Sequence, residues 1–182
     1  VGSEMCIRDR ARATVQGLNP VGLSLAAGGS LEFDINHKLG AVGIAKAGNP
    51  LLLNTLLAQG FTPVFSSIGL SAEGQLLNVN ADIAAAAICQ LVQGQLVLLT
   101  DVPGILDATM QLIPTLTAAE AQQLVLDGVI KGGMKVKLDA ALETAQALKR
   151  NITVAGWQHP DDLLKLMQHQ TIGTCIVYTE SN

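Results

Sequence analysis

The sequence is poor in aromatic and charged residues. Only 3% of its 182 residues are aromatic and 14% are charged, and the net charge is −4. This balance argues against a basic nucleic-acid-binding face and against a highly charged, disordered tail. We therefore expect no nucleic-acid partner.

Long apolar runs are also lacking, although 49% of the residues are hydrophobic and the mean hydropathy is +0.39. The longest candidate span, residues 83–100, is far from the uninterrupted apolar length that a bilayer requires. It is broken by Gln90, Gln93, Gly94 and Gln95. The N-terminus carries no apolar core typical of a signal peptide. The sequence therefore predicts no membrane association.

The three cysteines form neither a CxxC pair nor a cluster with histidine. This spacing argues against a disulfide framework and a zinc site, and we expect a cytoplasmic protein. The three histidines lie in separate segments and predict neither a metal site nor a catalytic triad. These six residues are Cys6, Cys89, Cys175, His37, His159 and His169.

Short apolar runs alternate with helical patterns along the rest of the chain, which also contains 18 glycines. Such alternation is typical of crossover units, so we expect an α/β fold, a three-layer αβα sandwich with a mainly parallel sheet. Thr117 and Glu120 predict a capping box at one helix start. Residues 1–10 fit neither helical nor strand periodicity, and we expect a non-native scar segment there. We expect residues 11–182 to form one domain.

Polar side chains follow one of the predicted strands. Asn78, Asn80 and Asp82 lie at a turn that leads into a helix. One interpretation is structural, with Asn80 as N-cap and Asp82 favoured by the helix dipole. The other is functional, because amides at a strand's carboxyl end can hold a substrate carboxylate.

The loop that follows the strand at 95–100 is a second candidate site. Pro103 and Gly104 fit the central positions of a type II turn, in which the glycine would have a positive φ. The loop is either an ordinary connection between a strand and a helix or a binding loop that encloses the base and ribose of a nucleotide. The chain has neither a Walker A motif nor a G-x-G-x-x-G motif, so P-loop and dinucleotide-binding enzymes are not supported.

A third candidate is the glycine pair at 132–133, which precedes a helix and predicts an anion site. Lys135 and Lys137 are two positions apart and point about 200° apart on that helix. Only one of them can therefore face a given ligand. Trp157 is expected to be a packing residue near the end of a late strand.

Four segments together resemble the amino-acid kinase family, over about residues 19–175. They are AGNPLLLNTLLAQGFTPVFSSIG, EGQLLNVNADIAAAA, LVLLTDVPGIL and GVIKGGMKVKLDAAL. The NVNAD turn is most similar to that of members that phosphorylate N-acetyl-L-glutamate. The aminoadipate-carrier kinases are the group most easily confused with them.

The resemblance implies ATP-dependent phosphorylation of the side-chain carboxylate of N-acetyl-L-glutamate, in arginine biosynthesis, with Mg²⁺ and as a homodimer. Asn78 matches the residue that holds the substrate's α-carboxylate, and Asn80 lies beside it. Asp82 matches an aspartate that orients two catalytic lysines, and Lys137 matches one of these. The positions that match nucleotide-binding segments are Asp101, Val102, Pro103, Gly104, Ile105, Leu106, Val129, Ile130 and Lys131.

The chain also departs from the family pattern. The family's K-x-G-G strand, its glycine-triplet loop and a substrate-binding arginine do not occur in this sequence. We therefore expect a chain that lacks the N-terminal part of the domain and has weak or no turnover. The alternative is a non-catalytic nucleotide-binding or interaction module.

Overall fold

The computed structural model describes residues 2–36, 38–168 and 170–179. His37 and His169, which the sequence interpretation set aside, lie outside the described residues. The chain divides into two compact units, an N-terminal unit that ends at Gly94 and a C-terminal unit that begins at Gln95. No helix in the described ranges combines the length and the apolarity that a membrane crossing requires.

The N-terminal unit contains three α-helices and six strands among its described residues, besides a short 3-10 helix (Ala27–Gly29). They are α1 (Gly2–Val15), β1 (Pro20–Ser24), β2 (Leu31–Ile35), β3 (Gly43–Ala47), α2 (Leu51–Ala58), β4 (Thr62–Ser66), β5 (Ile68–Leu70), β6 (Leu76–Asn78) and α3 (Ala81–Val92). Strands β1 and β4 pair in parallel, while β2 with β3 and β5 with β6 form antiparallel pairs. The unit thus combines a parallel pair, whose connection carries α2, with two hairpins.

The core of this unit is small and aliphatic. Leu25, Leu31, Val79, Ala84 and Ala87 form one buried cluster, against which partly buried side chains of β2, β4 and α3 pack. Because Val79 belongs to the cluster, its side chain holds the segment that leads into α3 against the core. This anchoring fixes the position of the polar residues on either side of Val79.

The C-terminal unit is built on a four-stranded sheet with the order β7-β9-β10-β8. Its elements are β7 (Val97–Thr100), β8 (Thr115–Leu116), α4 (Ala118–Leu126), α5 (Gly132–Leu148), β9 (Ile152–Gly156), α6 (Pro160–Met167) and β10 (Thr174–Ile176). The β7–β9 and β10–β8 pairs are parallel, and β9 pairs with β10 antiparallel. Helix α5 packs against β9 through a buried apolar face that includes Leu138, Ala141 and Ala145.

Three features differ from the sequence interpretation. Residues 2–10 are helical and belong to α1, which packs against β1 and β4. The sequence predicts only a turn at residues 72–75, but the turn belongs to a hairpin of two three-residue strands, β5 and β6. The sequence also predicts that Gly94 closes the helix after Asn80, but the C-cap of α3 is Gln93, which has the left-handed conformation at a φ of 55°. All three depend on local backbone geometry or pairing that hydrophobic periodicity does not encode.

Candidate functional site

Asn78 and Asn80 lie on the exposed side of the segment that joins β6 to α3. Their neighbours Leu77 and Val79 are buried, with 0% and 2% exposure, so side chains alternate between the interior and the surface. The backbone N–H of Asn78 donates to the carbonyl of Ala41 at 2.8 Å, which fixes this end of β6. The structure therefore presents two amide side chains on one surface.

The first turn of α3 is capped by Asn80. Its Oδ1 accepts from the backbone N–H groups of Asp82, at 2.9 Å, and Ile83, at 3.2 Å. Asp82 is half-buried in this first turn, where the helix dipole favours a carboxylate. The structural interpretation of Asn80 is thus confirmed, while Asn78 has no part in the cap.

The loop that follows β7 begins at Asp101, which is exposed. Its carboxylate accepts from the hydroxyl of Thr100 at 3.1 Å, and its carbonyl accepts from the side-chain amide of Gln158 at 2.8 Å. The N–H of Trp157 donates to the carbonyl of Thr100 at 3.1 Å. The residues that follow β9 therefore hold the start of this loop.

The predicted type II turn at Pro103–Gly104 is wrong. Gly104 does not have a positive φ. A Cβ at this residue would lie 2.7 Å from Leu112 Cδ1 and 2.8 Å from the Oγ1 of Thr174. The glycine is required because neighbouring groups approach it closely, and not because of its backbone conformation.

Beyond Gly104 the chain turns inward and then folds back on itself. Ile105 is fully buried, and Leu106 forms a β-bridge with Leu112. Asp107 closes the intervening turn, since its carboxylate accepts from the N–H groups of Thr109 and Gln111. These bonds hold the pKa of Asp107 below its usual value, with the Gln111 N–H as the largest cause.

The third predicted segment leads into α5. The N–H groups of Val129 and Ile130 both donate to the carbonyl of Leu124, and Ile130 is buried. Lys131 is exposed and occupies the N-cap position, without a side-chain capping bond. A Cβ at Gly133 would meet nothing within 4 Å, so the first turn is open to a ligand. A helix N-terminus of this kind favours an anion.

The two lysines of α5 have different surroundings. Lys135 pairs with Asp139 one turn later and lines a groove of about 280 Å³ beside α4. Lys137 is half-buried and lies about 200° further round the helix. The two side chains therefore leave α5 in different directions.

Sequence reasoning missed three residues near the loop after β7. Trp157, which was expected to be a packing residue, is 56% exposed, so that prediction is wrong. Gln158 and Thr174 bond to the loop from 57 and 69 positions further along the chain. No local pattern could have indicated these contacts, because they depend on the order of strands in the sheet.

The described residues contain no cluster of three or more histidine, cysteine, aspartate or glutamate side chains suited to a metal ion. A magnesium ion that accompanied a nucleotide would take most of its ligands from phosphates and water.

The chain belongs to the amino acid kinase family, whose sequence profile matches residues 10–156. It is 50% identical over 165 residues to an acetylglutamate kinase of Moritella profunda, covering 90% of this chain and 62% of that protein. It is likewise 50% identical over 161 residues to an acetylglutamate kinase of Serratia proteamaculans, covering 88% of this chain and 63% of the relative. The chain thus spans about three fifths of the length of these curated relatives.

Solved structures show the same fold at lower identity. An N-acetylglutamate synthase from Neisseria gonorrhoeae, crystallised with coenzyme A and N-acetyl-glutamate, has a TM-score of 0.81 at 22% identity, covering 100% of this chain and 43% of that one. A carbamate kinase from Giardia lamblia has a TM-score of 0.68 at 16% identity, covering 97% and 71%. The α/β fold is therefore that of the amino acid kinases, as the sequence predicted.

Proposed function

We propose that the chain carries the ATP- and N-acetyl-L-glutamate-binding residues of an acetylglutamate kinase. The observation that carries this proposal is the 50% identity to acetylglutamate kinases over about nine tenths of the chain. The reaction transfers the γ-phosphoryl group of ATP to the side-chain carboxylate, breaking the bond to ADP and forming an acyl phosphate. The product belongs to arginine biosynthesis.

On the substrate side, we assign Asn78 to the α-carboxylate of N-acetyl-L-glutamate, with Asn80 beside it. The exposed amide of Asn78 supports this role, since an amide N–H can donate to a carboxylate. The Oδ1 of Asn80 already accepts the bonds that cap α3, which leaves its Nδ2 group to donate to a ligand. Asn80 therefore has a double role, as cap and as neighbour of the substrate.

On the nucleotide side, we assign residues 101–106 and 129–131 to ATP. The open first turn of α5 supports this assignment because its N–H groups and dipole favour phosphate. We give Asp82 and Lys137 catalytic roles, since transfer between two anions depends mainly on neutralising charge and aligning the reactants. Mg²⁺ would bind together with the nucleotide. The protein would be a homodimer located in the cytoplasm.

The test is calorimetric titration of the chain with ATP and, separately, with N-acetyl-L-glutamate. We expect saturable binding of both ligands and much weaker binding of N-acetyl-L-aspartate, whose side chain is one methylene shorter. Hydroxylamine trapping then measures any acyl phosphate formed. Absence of ATP binding would contradict the proposal, and ATP binding without N-acetyl-L-glutamate binding would point to another acceptor or to a non-catalytic module.

Asn78→Ala tests the substrate assignment. We expect it to raise the dissociation constant of N-acetyl-L-glutamate by about tenfold or more, because a bond to a charged group is lost, and to leave ATP affinity unchanged. Asn54→Ala is the control, since Asn54 is also an exposed asparagine of the N-terminal unit. Equal effects of the two substitutions would contradict the role of Asn78.

A further inference from the structure

Thr174, the first residue of β10, is fully buried and bonds to the loop after β7. Its Oγ1 accepts from the N–H of Ile105 at 2.8 Å and donates to the carbonyl of Ile113 at 2.7 Å. The hydroxyl therefore bridges Ile105 and Ile113, the two backbone positions between which the chain makes the excursion of residues 106–112. The N–H of Ile113 also donates to the carbonyl of Ile105 at 2.9 Å, which closes the base of this excursion.

The same loop is enclosed by close backbone contacts. A Cβ at Gly104 would lie 2.8 Å from Thr174 Oγ1 and 2.9 Å from its backbone nitrogen. A Cβ at Gly156, at the end of β9, would lie 2.9 Å from the carbonyl oxygen of Val102. The N–H of Gly156 donates to the carbonyl of Pro103 at 3.2 Å. The loop is thus fixed by β9 on one side and by β10 on the other.

We propose that Thr174 is a positioning residue that holds residues 101–106 in the conformation that binds ATP. This inference rests on the proposed function, because the assignment of the loop to the nucleotide belongs to it. Because Thr174 is fully buried, its effect on the nucleotide is indirect. It acts through the N–H of Ile105, within the segment whose exposed residues, Asp101 and Pro103, would face the nucleotide.

Removal of the hydroxyl would leave the buried N–H of Ile105 and the half-buried carbonyl of Ile113 without their partner. A buried N–H or carbonyl that loses its hydrogen bond is costly, so the loop would move to regain a partner in water. Valine has nearly the same shape as threonine and keeps the packing around the site. The substitution Thr174→Val therefore isolates the hydrogen bonds from the volume of the side chain.

The experiment compares Thr174→Val with Thr174→Ser, which keeps the hydroxyl. We expect Thr174→Val to raise the dissociation constant of ATP by about tenfold, with Thr174→Ser within about twofold of wild type. The dissociation constant of N-acetyl-L-glutamate should not change in either variant. Hydrogen exchange at the Ile105 N–H should accelerate in Thr174→Val and remain slow in Thr174→Ser.

The control is Thr144→Val in α5. Thr144 is also fully buried, but its hydroxyl donates to the carbonyl of Ala140 in its own helix at 2.8 Å. This substitution removes a buried hydroxyl without affecting the loop, and we expect ATP affinity within about twofold of wild type. If Thr174→Val does not fold, Thr174→Ala takes its place, because it removes the same two hydrogen bonds and should therefore also raise the dissociation constant of ATP.

The possible outcomes distinguish a failure of this inference from a failure of the proposed function. Wild-type chain that does not bind ATP would overturn both. Wild-type chain that binds ATP with an affinity that Thr174→Val leaves unchanged would overturn the role of Thr174 alone. Equal loss of ATP and N-acetyl-L-glutamate affinity, or equal effects of Thr174→Val and Thr144→Val, would show a general structural defect and would also overturn it.

Discussion

At the scale of single residues, Lys135 and Lys137 lie on one helix, yet we expect only Lys137 to contribute to phosphoryl transfer. Lys135 is exposed and paired with Asp139, whereas Lys137 is half-buried on a different face of α5. In a version of the protein that carries the family's K-x-G-G strand, Lys137→Ala should lower turnover by about 100-fold or more, the usual cost of losing a group that stabilises transition-state charge.

Lys135→Ala is the matched control for this prediction, and we expect it to leave turnover within about twofold, because its ion pair is a surface pair of low energy. Hydroxylamine trapping of the acyl phosphate measures both variants. Equal losses would contradict the inference from helical geometry that only one of the two lysines faces the ligand. A larger loss in Lys135→Ala would reverse it.

At the scale of elements, the start of α4 carries the capping box that the sequence predicts. The N–H of Glu120 donates to Thr117 Oγ1, while the carboxylate of Glu120 accepts from the N–H and the hydroxyl of Thr117, each at 2.8 Å. We expect Thr117→Ala to lower the free energy of unfolding by about 1 kcal/mol, the typical value of an N-cap side chain. Urea denaturation monitored by the fluorescence of Trp157, the one tryptophan of the chain, measures this change.

Thr171→Ala is the control for the cap, since Thr171 is exposed in a loop of the same unit and its substitution should lower the free energy of unfolding by less than about 0.5 kcal/mol.

The stability that the cap contributes also depends on pH. The N–H and then the hydroxyl of Thr117 lower the pKa of Glu120. A carboxyl whose folded-state pKa is lowered stabilises the fold above its unfolded pKa, and this contribution disappears as pH falls through the folded-state value. Thr117→Ala removes the hydroxyl bond but keeps the backbone bond, which is the larger cause, so it should remove only part of this acid-dependent loss of unfolding free energy. A larger acid-dependent loss in Thr117→Ala than in wild type would contradict the role of the hydroxyl.

The same elements show which parts of the fold could be predicted from the sequence. The capping box and the helix that begins after Asn80 were predictable because each depends on residues within one turn. Strands β5, β6 and β8 were not, since segments of two or three residues carry too little periodicity. At Gly104 the local pattern suggested a turn, but the close contacts are with Leu112 and with Thr174, which is 70 positions away by sequence number. Contacts of that kind are set by strand order.

At the scale of the whole molecule, the assigned groups divide between the two compact units. Asn78, Asn80 and Asp82 lie in the N-terminal unit, whereas the loop after β7 and the start of α5 lie in the C-terminal unit. A ligand reduces exchange at the backbone groups that it contacts or orders. We therefore expect a non-hydrolysable ATP analogue to slow amide exchange most at residues 100–106 and 129–133, and N-acetyl-L-glutamate to slow it most at residues 76–83.

Hydrogen-exchange mass spectrometry with each ligand alone measures this division, and N-acetyl-L-aspartate serves as the control ligand for the acidic substrate. Protection of residues 76–83 by the nucleotide, without protection of residues 100–106, would contradict the assignment of the loop. Protection by N-acetyl-L-glutamate confined to the C-terminal unit would contradict the assignment of Asn78. Because each ligand reports on its own set of backbone groups, the two assignments can fail independently.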